Sequence, residues 1–266
     1  MKRFAAVALL LALLPSLAAC APRSPQETAP AFAPQSPGAT TEPRGTTTPA
    51  SQTTAPRRAE DLVEVRQQVH LLGADGVGNT YDYTYTVPGF TLDSQDAAAC
   101  NQAILETCTS YIEESQEADR EGYSVLCMGI GYDAWLWEEV LTLLVTVDSD
   151  WGNTEYLLYQ LDADTGARLQ TGDLAARLGL SQADFAQAAR AAMESTFRTM
   201  FQGAEETAGD FYQTQLDKTV AGENVSKAQL YLGEGGAPFL LCTIYSLAGA
   251  ESYDYCIPLE LPESGG

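Results

Sequence analysis

The sequence predicts an α+β domain, an antiparallel sheet with two main amphipathic helices packed on it, and three observations carry that expectation. Thr80–Val87 alternates Tyr81, Tyr83 and Tyr85 with Asp82, Thr84 and Thr86, the period of a strand with one buried face. Two longer stretches repeat their apolar residues at three and four. One is Ala97, Cys100, Ile104, Cys108, Tyr111 and Ile112; the other is Phe185, Ala189, Ala192, Met193, Phe197, Met200 and Phe201. That spacing draws a greasy stripe down one side of a helix. Strands and helices also come in blocks rather than in strict alternation, which favours α+β over a doubly wound parallel sheet.

Taken in order, Leu62–Leu71 is rich in β-branched residues and reads as the first strand. The second, Thr80–Val87, is expected to stop at Pro88-Gly89. Asp93 is the expected cap of the first helix. Three β segments follow near Tyr123–Tyr132, Trp135–Asp148 and Asn153–Leu161. The connections Asp148–Asn153 and Asp162–Gly166 hold the Asp, Asn, Ser and Gly that turns require. Ser181, with Asp184 three residues on, opens the second helix as a capping box. A short helix at Phe211–Lys218 leads to strands at Lys227–Leu232, Phe239–Ser246 and Tyr253–Glu260.

The N-terminus predicts an address. Lys2 and Arg3 precede an apolar run from Phe4 to Leu14, and Leu17-Ala18-Ala19-Cys20 follows. This is the layout of a secretory signal peptide with small residues at its cleavage site. Cys20 at +1 makes it a lipobox, so residues 1–19 read as a lipoprotein signal peptide and Cys20 as the lipidation site, a diacylglyceryl (palmitate-type) anchor. The apolar run is too short to span a bilayer comfortably, whereas two acyl chains hold a protein on one. The expected place is the outer face of a bacterial cytoplasmic membrane. Residues 20–60, after the lipidated Cys mostly Pro, Ala, Thr, Ser and Gln, cannot bury enough surface to order themselves and read as a tether of roughly 35 Å root-mean-square reach. Residues 61–266 are long enough for a single domain with its own core.

That domain is strongly acidic: 8 Lys/Arg face 33 Asp/Glu, a formal charge of −25. Such a surface excludes nucleic acid as a partner and steers cationic molecules toward it. Five cysteines remain after Cys20, an odd number that cannot form a complete disulfide framework. Cys100 and Cys108, about 12 Å apart on a helix, are too distant to bridge. Cys242 and Cys256 are equidistant from a turn near Gly249, so a disulfide there and two buried thiols both remain open.

Three stretches share an order with a known family. They are Tyr85-Thr-Val-Pro-Gly-Phe-Thr-Leu-Asp93 followed by Asn101; Leu157–Leu174 with Asp164-Thr-Gly166 and Gly172-Asp173-Leu174; and Tyr245–Gly249 leading to Ile257-Pro-Leu-Glu-Leu261. In this the chain resembles the RsiV-like extracytoplasmic domain, found on lysozyme-sensing anti-sigma factors and beside the catalytic domain of PdaC-type deacetylases. The resemblance implies an α+β binding domain and, in the anti-sigma branch, one that binds lysozyme. It departs from that branch in showing no transmembrane helix or sigma-binding segment, and from the other in showing no deacetylase domain. Where the family carries a Gly-Ala-His-type patch, this chain has Asp150-Trp-Gly-Asn-Thr-Glu155, without histidine.

Catalytic chemistry finds little footing. The single histidine, His70, has no G-x-S-x-G elbow to serve, and no C-x-x-C pair or His cluster suggests a metal. No catalytic residue, cofactor or metal is therefore expected. Asp148, Asp150 and Asn153, or Asp162 and Asp164, offer oxygen ligands but not a full calcium loop. The expectation is a lipid-anchored binding domain that is not an enzyme. Its contact would be made by Asp148, Asp150, Trp151, Asn153 and Glu155, and its partner would be lysozyme-like or another cationic or wall-associated molecule. The alternatives are a two-carboxylate glycan hydrolase, for which Glu138 and Glu139 would be tested, and a passive envelope component.

Overall fold

The computed structural model describes residues 57–74, 78–150, 152–248 and 251–261, all within one unit, Thr54–Gly266. The signal peptide, Cys20, the tether up to residue 56, Gly249 and Trp151 lie outside the described residues. The folded part begins before residue 61. Ala59–Asp61 form a 3-10 turn, and Arg57 donates to the Ala163 carbonyl at 3.1 Å and to Asp164 at 2.7 Å.

Five strands, β1 (Val63–Ala74), β2 (Thr80–Phe90), β3 (Cys127–Trp137), β4 (Val140–Ser149) and β5 (Thr154–Asp162), pair in sequence order. The α+β class is as expected, with one departure inside the sheet. β2 and β3 run parallel, pairing at Tyr85 and Ile130, while the other pairs are antiparallel. The reason is the 27-residue helix α1 (Gln95–Glu121) between them, a crossover long enough to return the chain in the same direction.

Pro88-Gly89 does not end β2. Pro88 stands opposite Val65, where the β1 register shifts between Val65 and Gln67. A bulge leaves a ladder bond unmade, which is what a residue without an N–H requires. The cap of α1 is Ser94, one residue beyond Asp93; its hydroxyl accepts the Ala97 N–H at 3.0 Å. The hairpin between β3 and β4 also sits elsewhere than expected. It turns at Glu138-Glu139, with Glu138 at φ 50°, as a two-residue hairpin demands of its first central position. Trp135 and Trp137 therefore belong to β3.

A second, antiparallel sheet is built from β6 (Gln229–Leu232), β7 (Pro238–Tyr245) and β8 (Ser252–Pro258). Between the sheets in sequence come α2 (Thr171–Arg177), α3 (Gln182–Met200), α4 (Glu205–Ala208), α5 (Asp210–Thr219) and α6 (Gly222–Lys227). Ser181 and Asp184 form the expected capping box of α3. The β7–β8 register pairs Cys242 with Tyr255 and Leu241 with Cys256. One step of offset sends the two cysteines to opposite faces, so they do not face each other, and both thiols are free.

Each face of the first sheet has its own task. Tyr85, Val87, Ile130, Leu141, Leu143, Val145 and Leu161 point to α1 and pack on its Ala97, Cys100, Ile104, Cys108 and Ile112. Leu144 and Leu158 point the other way, onto Tyr231 and Leu241 of the second sheet. Covered on both sides, β4 reads as the nearly unbroken apolar run Val140–Val147. Trp135 stacks on Tyr231 at 6.1 Å in this inter-sheet layer, while Tyr132, of opposite parity, joins the α1 side. Trp137 packs against neither but against the core beneath α3, so the aromatics of β3 serve three cores. α3 lays Phe185, Ala189, Met193 and Phe197 into a further core with Leu240, Cys242 and Ile257 of the second sheet.

Candidate functional site

α1 runs past the β4–β5 end of the first sheet and leaves a cleft of about 390 Å³ there. Tyr111, Glu114, Ser115 and Ala118 line it from the helix, positions at three- and four-residue spacing that share one face. Asp148 and Ser149 enter from the end of β4, Asn153 from the turn, and Glu155 from β5. The segment before β3 supplies the remaining wall through Tyr123, Ser124 and Leu126.

The β4–β5 turn is held by its own side chains. Ser149 donates to Asn153 Oδ1 at 2.6 Å, and Thr154 donates to Asp148 Oδ1 at 2.8 Å. Of the five residues expected to form a contact, Asp148, Asn153 and Glu155 line this cleft. Asp150 is exposed on the same turn, its N–H donating to the Leu126 carbonyl at 3.0 Å. Trp151 lies outside the described residues.

Electrostatically the cleft is one-sided. Glu114, Asp148 and Glu155 line it with no Lys or Arg among the lining residues. The Tyr111 hydroxyl donates to Glu155 Oε2 at 2.5 Å. That bond to a carboxylate, with burial added, holds the Tyr111 phenol well above its ordinary value. Apolar surface sits directly beside the charge: Tyr123 is 69% exposed and Leu126 58%. Exposed apolar side chains gathered in one place and rimmed by polar residues suit a partner surface, as a single one would not.

Tyr111, Tyr123 and Leu126 are not legible as site residues in the sequence. The signal present is the outward parity of Leu126 and Met128 against inward Val125 and Cys127, an apolar residue on both faces of a strand. The second acidic turn behaves as a turn. Both Asp162 oxygens are taken, Oδ1 by the backbone N–H groups of Asp164 and Thr165 and the Thr165 hydroxyl, Oδ2 by Arg177. Glu138 and Glu139 are exposed at the β3–β4 turn, with Glu139 3.7 Å from Arg177. His70 is exposed on β1, its Nδ1 3.3 Å from the Thr84 hydroxyl. Among the described residues no group of three or more His, Cys, Asp and Glu is placed to hold a metal ion, and no helix is long and apolar enough to cross a membrane.

What the fold and cleft define is an α+β domain of two facing sheets with an acidic, partly apolar cleft at one end. No family model matches the chain, and no curated protein does. Among solved structures it is similar to the crystal structure of a member of the DUF3298 family from Bacteroides fragilis. The identity is 9%, the match covers 74% of this chain and 89% of that one, and the TM-score is 0.34.

Proposed function

We propose that this chain is a lipid-anchored, extracytoplasmic binding domain, not an enzyme, and that the cleft between α1 and the β4–β5 turn engages a cationic protein. The observation that carries the reading is the pairing of Glu114, Asp148 and Glu155 with exposed Tyr123 and Leu126 in one cleft. Carboxylates steer a basic partner and set its orientation, while the apolar wall supplies affinity that salt does not remove. The resemblance to the RsiV-like domain makes a lysozyme-like protein the first candidate. Anchoring rests on the lipobox at Cys20.

The test is calorimetry of residues 21–266 against lysozyme at low salt and again above about 0.3 M. Binding that persists in high salt, and that weakens about tenfold in the double variant Tyr123→Ser/Leu126→Ser, is the expected result, since each side chain would bury apolar area in the contact. Binding abolished by salt, or unaffected by that variant, would overturn the assignment of the cleft. Membrane fractionation with Cys20→Ala tests the anchor separately: the variant is expected in the soluble fraction.

A further inference from the structure

The edges of the two sheets are not protected alike. β5 is closed at its Gln160–Asp162 end, where the Leu169 N–H donates to the Gln160 carbonyl at 2.9 Å and the Asp162 N–H to the Ala167 carbonyl at 2.8 Å. On β6, side chains take both backbone groups of Leu230. The Thr171 hydroxyl accepts its N–H at 3.2 Å, and the Gln160 amide donates to its carbonyl at 2.8 Å. β8 is seven residues long, carries Asp254 and ends at Pro258. Covers, charges and prolines of this kind keep a sheet edge from pairing with another chain.

β1 lacks them over most of its length. It is the other edge of the first sheet and, at 12 residues, the longest described strand. The bulge and the Glu64–Arg66 pair guard only its first residues. From Gln67 to Ala74 it runs in unbroken register with β2 and holds no Asp, Glu, Lys, Arg or Pro. Among the described residues only β2 shares backbone hydrogen bonds with this stretch. Leu72 stands on it 69% exposed. In a domain of formal charge −25, an open strand without a formal charge is a template for pairing rather than a solvated face.

The charges at its two ends select the occupant. A Cβ on Gly89 would meet Arg66 Cγ at 2.7 Å and Asn101 Oδ1 of α1 at 3.1 Å, so Arg66 lies on the α1 face of the sheet. At the other end Asp119 of α1 stands over Gly73, 2.6 Å from where a Cβ would be. A strand that pairs antiparallel with its own copy does so about a twofold axis, which brings each Arg66 end beside the other's Gly73 end on one face. Arg66 bonds Glu64 at 2.9 Å and the Phe90 carbonyl at 2.7 Å and keeps N–H groups for a further acceptor. We infer that β1 pairs edge to edge and antiparallel with a second copy of this chain through Gln67–Ala74, joining the two five-stranded sheets into one. Two strongly acidic domains then touch where neither presents a net acid. No residue of this stretch lines the acidic cleft, so the pairing stands or falls apart from the function proposed for that cleft.

The test is sedimentation equilibrium of residues 21–266 in about 0.3 M salt, where repulsion between the two acidic domains is screened. A monomer–dimer equilibrium with a Kd of about 0.3 mM or tighter is expected. Gln68→Lys/Leu72→Lys sets like charges across the new strand pair and should weaken it about tenfold or more. Both positions are exposed, so the variant should keep the parent's thermal midpoint. Leu105→Lys, at an exposed apolar position of α1, also adds a lysine and should leave the dimer intact. Hydrogen exchange gives a second reading. Alternate amides of Gln67–Ala74 should slow as protein concentration rises, while those of β8 should not change. A Kd weaker than that value would overturn the proposal and leave the edge to a strand of another protein. So would a Gln68→Lys/Leu72→Lys variant that pairs as tightly as the parent, or a dimer that forms without slowing any β1 amide.

Discussion

Tyr111 on α1 and Glu155 on β5 meet at 2.5 Å, phenol to carboxylate, so the helix is tied across the cleft to an edge strand. Their bond links the apolar stripe of α1 directly to the acidic end of the sheet. Glu155 raises the Tyr111 phenol above 10.0, and burial raises it further. A raised folded value means that the neutral phenol is favoured by folding. The stabilisation is therefore fully present below pH 10 and disappears as pH climbs through the folded value. Tyr111→Phe is expected to cost about 1 kcal/mol at neutral pH and progressively less above pH 10. Ultraviolet titration of Glu155→Gln should show one phenol ionising earlier, absent from Tyr111→Phe; an unchanged curve would break the assignment.

Asp162 shows the opposite sign. Its carboxylate accepts the Thr165 N–H at 2.9 Å, Arg177 at 2.8 Å and the Thr165 hydroxyl at 2.9 Å. The Thr165 backbone bond contributes most, and despite opposing burial the group falls from 3.8 to about 2. A lowered folded value stabilises above the unfolded one and is lost as pH falls from near 4 toward 2. Asp162→Ala should cost on the order of 2 kcal/mol at pH 7, since each tenfold change in proton affinity is worth about 1.4 kcal/mol. Its acid limb should flatten between pH 4 and 2 in denaturant titrations. The same turn brings Gly166, at φ 70°, so close to Ser94 that a Cβ would stand 2.5 Å from that side chain. Equal stability of variant and parent at pH 7 would remove Asp162 from this role.

Much of this architecture can be read from residue spacing, because helices and strands announce themselves through local periodicity. The stripes of α1 and α3, the Ser181 box and the strand tyrosines are of that kind. What escapes such a reading depends on contacts distant in sequence. The turn at Glu138-Glu139 has no Gly or Asn to mark it, so local patterning divides the surrounding apolar sequence at Asp133-Ala134 instead. Pro88 passes through a strand because β1 bulges opposite it, which no local rule foresees. The acidic turn of the cleft is visible as a cluster, but its apolar wall is not, since Tyr123 and Leu126 look like ordinary strand residues until α1 is laid beside them.

The thiols offer a check on the β7–β8 register. Burial pushes Cys242 up to about 12 and Cys108 up to about 11, so both should resist labelling in the native state. Cys256 is only half-buried and should react first with an aromatic disulfide reagent. After denaturation without reductant, residues 21–266 should yield five free thiols. A yield of three, with peptide mapping that joins Cys242 to Cys256, would mean a register different from Cys242 opposite Tyr255.

Asn101 explains why a strand containing Pro88-Gly89 leads into a helix with an asparagine. Its Oδ1 accepts the Phe90 N–H at 2.7 Å, and its Nδ2 donates to the Phe90 carbonyl at 2.9 Å. One side-chain amide thus bonds both backbone groups of Phe90 where β2 leaves the sheet, and the Arg66 guanidinium gives the carbonyl a second donor at 2.7 Å. The approach is close: a Cβ on Gly89 would meet Asn101 Oδ1 at 3.1 Å and Arg66 Cγ at 2.7 Å. Asn101→Ala takes the acceptor from the Phe90 N–H, while Arg66 still donates to the Phe90 carbonyl at 2.7 Å, and should cost about 1 kcal/mol, read as a lower urea midpoint. Asn101→Asp keeps the acceptor but loses the donor, and its carboxylate is turned toward the Phe90 carbonyl, so it should not restore stability. Hydrogen exchange at the Phe90 amide separates this local role from a general loss of packing. In Asn101→Ala that amide should exchange about tenfold faster or more, while those of Leu143 and Val145 in the sheet interior change only as far as global stability falls. Protection at Phe90 that survives the substitution would mean that the amide bridge does not hold this end of β2.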